Sequence, residues 1–127
     1  MNFLEEVKTL GFDVENAMER FMGNSELLEK MIKMLPSSVY PSKFGGKQED
    51  DMEVLSYIES GNIETAIAKA HSLKSIMGNL SINKLYLPYT KILDFLRSGE
   101  ISMALELTKK IIPVQENVIF KIMELSK

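Results

Sequence analysis

Apolar residues recur at helical spacing along most of this chain, and the breaks between the runs are short. Asn2 to Leu10 reads as a short helix stopped by Gly11. Asp13 caps a second helix through about Met22, with Val14, Ala17, Met18 and Phe21 on one face, and Gly23 ends it. A third begins near Asn24 or Ser25, turns Leu27, Leu28, Met31, Ile32 and Leu35 inward, and stops at Pro36. From Pro36 to Lys47 the period is lost, and two prolines, three serines and the pair Gly45-Gly46 predict an exposed loop. Gly45-Gly46-Lys47 is too short for a phosphate-binding loop and lacks its strand-helix context. Glu49, Asp50 and Asp51 then read as first-turn acids of a fourth helix, favourable against its dipole, with Met52, Leu55, Tyr57 and Ile58 apolar and Gly61 as its end. A metal site on those acids has no further ligands at fitting spacing.

Asn62 caps the next helix, in which Ile63, Ala66, Ala70, Leu73, Met77 and Leu80 form one apolar stripe. Beyond residues 79–83 another helix runs to about Ser98, with Leu85, Tyr89, Ile92, Leu93 and Leu96 apolar and a kink predicted at Pro88. Gly99 closes it. The last helix starts near Glu100 and carries Leu107, Ile111, Val114, Val118, Ile122 and Leu125 on one face, interrupted at Pro113. Pro88 and Pro113 lie at similar depth from the Gly99 turn, so the two bends are expected to match across the hairpin. No stretch alternates as a strand does. Short links at Gly61, Ser81 to Asn83 and Gly99 imply antiparallel neighbours. The expected fold is all-α: an antiparallel up-down four-helix bundle with one or two short amino-terminal helices packed alongside, as a single domain over residues 1–127.

Composition narrows the function classes. A chain of 127 residues, 45% apolar and 26% charged, can bury one sizeable core. A net charge of −3 with no basic stripe argues against nucleic acid as partner. The absence of cysteine excludes disulfides and thiolate metal sites, and favours a reducing compartment. No apolar run approaches the ~20 residues of a membrane span. The first residues carry Glu5 and Glu6 where a signal peptide needs positive charge, so a cytoplasmic location away from the membrane is expected. Nine methionines are read as core gap filling. Met1 hints at a stand-alone protein, an excised domain being the open alternative, and a monomer is expected.

The chain's only histidine, His71, lies off the apolar stripe of its helix. At about 100° per residue it projects from the flank beside Ala68, Ser75 and Gly78, with Lys74 one turn on, between that flank and the stripe. The plain reading of such a histidine is a solvated surface residue, and of such a lysine a snorkelling one. Against the plain reading, three small residues leave helix surface uncovered, and Gly78 costs ~1 kcal/mol of helix propensity relative to alanine. A side chain added at 78 is expected to point to solvent. This flank suits a nucleophile approached by a large partner.

At these residues the sequence resembles the histidine phosphotransfer (HPt) family. Ala70-His71-Ser72-Leu73-Lys74-Ser75-Ile76-Met77-Gly78-Asn79-Leu80-Ser81 follows the family pattern A-H-x-L-K-G-x-x-x-N-L-G without a gap, with serine for glycine at Ser75 and Ser81. Gly11-Phe12-Asp13-Val14 and Arg20 to Leu27 look like the family's amino-terminal region, and Leu96-Arg97-Ser98-Gly99-Glu100 the end of its next helix. The family often has an acidic residue where Leu93 stands. The resemblance implies phosphorylation of His71, a phosphate-side role for Lys74, and a docking flank at Ala68, Ser75, Gly78 and Arg97. It implies receiver domains of a hybrid histidine kinase or a response regulator as partners. This chain would then need no cofactor, because Mg²⁺ and the acidic aspartate pocket belong to the receiver.

Imidazole fits the task, being largely neutral near pH 7 yet nucleophilic, with an unperturbed pKa of about 6.5. Lysine at i+3 can reach phosphoryl oxygens, whose charge must be neutralised in phosphoryl transfer. The expected function is therefore a phosphocarrier, with no kinase or ATP site of its own. The alternative is a helical module that docks receivers or other partners without carrying phosphate, and Ser75 is the feature that favours it. A self-contained hydrolase or transferase ranks third, since no nucleophile-base-orienter set can be assembled.

Overall fold

Four helices of this protein begin at an asparagine or aspartate whose side chain accepts a backbone N–H three residues on. Asn2 accepts from Glu5 at 2.9 Å, Asp13 from Asn16 at 3.1 Å, Asn24 from Leu27 at 3.0 Å and Asn62 from Thr65 at 3.4 Å. The computed structural model describes residues 2–40 and 53–127. Among these residues there are eight helices: α1 (Phe3–Lys8), α2 (Val14–Arg20), α3 (Ser25–Lys33), α4 (Leu35–Val39), α5 (Val54–Glu59), α6 (Ile63–Asn79), α7 (Asn83–Arg97) and α8 (Ile101–Leu125). The described residues contain no strand, so the fold is all-helical.

Three successive helices stop in the same way. After α5, α6 and α7 the chain turns through a left-handed residue, Gly61 (φ 81°), Ser81 (φ 55°) and Gly99 (φ 82°). The following N–H reaches back to a carbonyl five residues earlier: Asn62 to Tyr57 at 2.9 Å, Ile82 to Met77 at 2.9 Å and Glu100 to Phe95 at 2.8 Å. Ser81 takes this conformation without being glycine. Its hydroxyl donates to Asn16 Oδ1 at 2.7 Å, and its carbonyl accepts from the Asp13 N–H at 3.0 Å, tying the start of α2 to the α6–α7 turn.

The tight turns fold α6 and α7 into a hairpin, and α7 and α8 into another. α5 packs against α6 and α8, so α5, α6, α7 and α8 neighbour one another in a closed cycle, with α4, α3 and α1 laid against α8. The core runs through that cycle: Ala66, Ala70 and Met77 of α6, Leu85, Ile92 and Leu93 of α7, and Val118 and Ile122 of α8 are fully buried. No helix among the described residues is long and apolar enough to cross a membrane.

Several expectations are corrected. Four short helices, rather than one or two, precede α5. The segment from Pro36 does not begin as a loop: Pro36 sits in the first turn of α4, where its missing N–H costs nothing. α5 starts at Val54 behind Glu53, and no acid stands in its first turn. Glu49, Asp50, Asp51 and Met52, with the glycine pair, lie outside the described residues. On α3, Leu28 and Ile32 are buried but Leu27 and Met31 are exposed, because the helix has two adjacent apolar stripes and its neighbours cover one. Pro113 does not interrupt α8, whose 25 residues run through it.

The buried stripe of α8 also differs from its apolar pattern. It passes through Ala104, Thr108, Ile111, Gln115, Val118 and Ile122, while Val114 is exposed. Thr108 satisfies its hydroxyl on the Ala104 carbonyl at 2.7 Å. Gln115 accepts from the Tyr89 hydroxyl of α7 and donates its amide to Tyr40 Oη at 3.0 Å. No described buried side-chain polar atom lacks a partner, as low-dielectric surroundings require.

Burial pushes the Tyr89 hydroxyl well above its ordinary value of 10.0, and raises Tyr40 likewise. A raised folded-state pKa means that the folded protein holds a proton the unfolded chain releases. Stability from this source is complete below about pH 10 and falls as pH climbs above it. Tyr89→Phe should cost about 1–3 kcal/mol at pH 7 by leaving the Gln115 oxygen unpaired. It should also flatten the loss of stability between neutral and strongly alkaline pH in urea titrations. An unchanged alkaline slope would show that the Tyr89 proton is not what the folded state protects.

Candidate functional site

α6 is oriented by its apolar stripe. Ala66, Ala70, Leu73 and Met77 are buried, and the alanines leave room for the neighbouring helices to come close. Once that stripe faces inward, the remaining positions have no choice of direction. Ile67, His71, Lys74 and Gly78 recur at steps of four, three and four, and so share one flank. His71, Ala68, Ser72 and Ser75 are exposed, whereas Lys74 and Gly78 are partly covered. The expected small-residue surroundings of His71 are thus present at Ala68 and Ser75.

What covers the flank is α7. Tyr86, Thr90, Leu93 and Arg97 recur at the same steps as the α6 residues, forming the α7 stripe that adjoins it. The Lys74 Nζ lies 5.9 Å from the centre of the Tyr86 ring, within range of a cation–π attraction. A Cβ built on Gly78 would lie 3.1 Å from Tyr86 Cε2 and 3.2 Å from Cδ2. That direction corrects the expectation for position 78: a side chain there meets an aromatic ring, not solvent. The glycine is what lets the ring lie against α6.

Arg97 stands exposed in the last turn of α7, on the Tyr86 stripe, at the end of the hairpin away from the α6–α7 turn. Leu93, where the family often has an acid, is fully buried in the core and presents no polar group. Asn79 occupies the opposite flank of α6, at a groove of about 280 Å³ lined by Arg20, Phe21, Met31, Leu35 and Ile76. Among the described residues no group of three or more His, Asp or Glu side chains is placed to hold a metal ion.

The arrangement offers an accessible imidazole and a nearby ammonium on one helix flank. Tyr86 is the member that reading the sequence missed. The apolar pattern of α7 consists of Leu85, Tyr89, Ile92, Leu93 and Leu96, which do form the core, and does not include Tyr86. The available signal was Gly78, a helix-weakening residue with no turn to explain it. Comparison of the chain with protein-family models, with curated proteins and with solved structures found no match.

The ring predicts an energetic coupling between positions 78 and 86. Gly78→Ala gains up to ~1 kcal/mol of helix propensity but must push Tyr86 aside by a few tenths of an ångström. It should therefore stabilise the protein more in a Tyr86→Ala background than in the wild type, as a double-mutant cycle in urea would measure. Equal effects in the two backgrounds would mean that the ring does not press on this position.

Proposed function

We propose that this protein is a histidine phosphotransfer carrier of a cytoplasmic phosphorelay, folded as an antiparallel up-down four-helix bundle of α5, α6, α7 and α8. The closed cycle of neighbours joined by tight turns supports the bundle. One observation carries the function: the chain's only histidine stands exposed on a helix whose opposite face is locked in the core, with Lys74 on the same flank one turn away.

In this reading a neutral imidazole nitrogen of His71 attacks the phosphorus of a receiver's aspartyl phosphate. The N–P bond forms as the O–P bond breaks, and the carboxylate departs with the electron pair. The reverse step delivers the group to the aspartate of a response regulator. Lys74 supplies positive charge to the phosphoryl oxygens, the main demand of a transfer whose charge spreads over them. Mg²⁺ and the acidic pocket come from the receiver. Ala68 and Ser75 leave the approach open, and Arg97 offers a docking charge at the hairpin's far end. Ser75, where the family pattern has glycine, favours the rival reading of a docking module that carries no phosphate, and labelling separates the two.

A phosphorylated receiver with Mg²⁺ should transfer acid-labile label to the wild type. His71→Gln should take none while keeping its helical circular dichroism, and undiminished labelling of that variant would sink the relay reading.

Lys74→Ala should slow transfer or change the lifetime of the phosphohistidine. Its stability should drop by no more than about 1 kcal/mol, the scale of a surface contact with one cation–π attraction. Unchanged transfer kinetics together with a large stability loss would make Lys74 structural.

A further inference from the structure

Lys74 and Gly78 meet the same ring, and the ring is on the wrong side of Lys74 for it to serve His71 directly. At 1.5 Å rise per residue, Lys74 lies about 4.5 Å along the α6 axis from His71 and about 6 Å from Gly78, on the other side. Tyr86 is seated against Gly78. The ring packed on Gly78 is thus about 10.5 Å along the axis from His71, with Lys74 between them and its ammonium 5.9 Å from the ring centre. The lysine stem is long and flexible enough to reach either way along one turn.

Resting on phosphorelay chemistry at His71, we propose that Tyr86 is a resting seat for the Lys74 ammonium, occupied in the unphosphorylated protein and vacated when a phosphoryl group on His71 draws the ammonium one turn back. The two positions compete for one cation. A phosphoryl group carries up to two negative charges and strong acceptor oxygens, and outbids the face of a half-exposed tyrosine. An attraction present only in the unmodified state opposes modification by its own free energy. Tyr86 thus acts as a positioning residue that lowers the affinity of His71 for the phosphoryl group and favours handing it on. Gly78 is the residue that makes the seat, since a Cβ there would displace the ring.

The test is the equilibrium of phosphoryl exchange between this protein and a phosphorylated receiver. Tyr86→Leu should shift it toward phosphohistidine by about two- to fivefold, the range set by a cation–π contact at a half-exposed site. Tyr86→Phe, which keeps the ring, should match the wild type. In a Lys74→Ala background Tyr86→Leu should shift nothing. A direct measurement on the wild type needs no variant to fold: the ε-methylene proton resonances of Lys74 should be ring-shifted upfield and should lose that shift on phosphorylation of His71. An unchanged exchange equilibrium in Tyr86→Leu, an equal shift with Lys74 absent, or lysine resonances that ignore phosphorylation would each overturn the seat. A wild type that labels normally while Lys74 stays on the ring overturns this proposal alone. One that takes no label overturns the relay reading and the proposal together.

Discussion

The burial of one narrow stripe on α6 governs the arrangement of this protein. Ala66, Ala70, Leu73 and Met77 turn inward, and the two alanines present so little bulk that α5 and α7 approach closely on either side. Burying these side chains removes apolar surface from water, which is the dominant favourable term in folding. The geometric consequence matters as much. A helix fixed on one face has its other residues fixed at 100° steps around it, so exposure of His71 follows from burial of Ala70. The core thereby aims a residue that it does not touch.

A second constraint acts at the α4–α7–α8 junction, where a polar layer crosses the core. Tyr89, Gln115 and Tyr40 are linked by hydrogen bonds at a pocket that Glu53, Lys69 and Thr108 also line. Such a layer is unfavourable unless every group is satisfied, and here each has its partner. Because Tyr89 and Gln115 come from two helices and Tyr40 from the residue that ends a third, the bonds form in one relative placement of those helices. Apolar contacts alone would tolerate sliding. The layer therefore sets register as well as stability.

The candidate site combines an open half and a covered half. On the exposed side of His71 the neighbours Ala68, Ser72 and Ser75 are small, while Ile67 and Lys74 lie partly covered on the other side. About two turns from His71 the Tyr86 ring fills the place that Gly78 leaves, and Lys74 is half-covered between them. The same helix flank thus carries an exposed imidazole and a cation 5.9 Å from the centre of a ring on another helix. Glycine serves here as a recess for an aromatic ring, which is a different use from the left-handed turns at Gly61 and Gly99.

The linear pattern determined that the chain is helical, where α6 and α7 begin and end, where α8 begins, and that Ala66, Ala70, Leu73 and Met77 face inward while His71 does not. These are consequences of the 3.6-residue period, of Asx caps and of left-handed stops, all of which act within a few residues of chain. The tertiary structure alone decided which of two apolar stripes α3 would bury, since Leu27 and Leu28 are equally apolar and only the neighbours distinguish them. It also decided that Thr108 and Gln115 would be interior. A polar residue reads as surface until a partner from another helix satisfies it, and the partners of Gln115 lie 26 and 75 residues away. The same holds for Gly78. Its weakness as a helix residue is written in the sequence, but the ring that compensates for it comes from α7, and only the packing of two helices brings the ring, the glycine and Lys74 together.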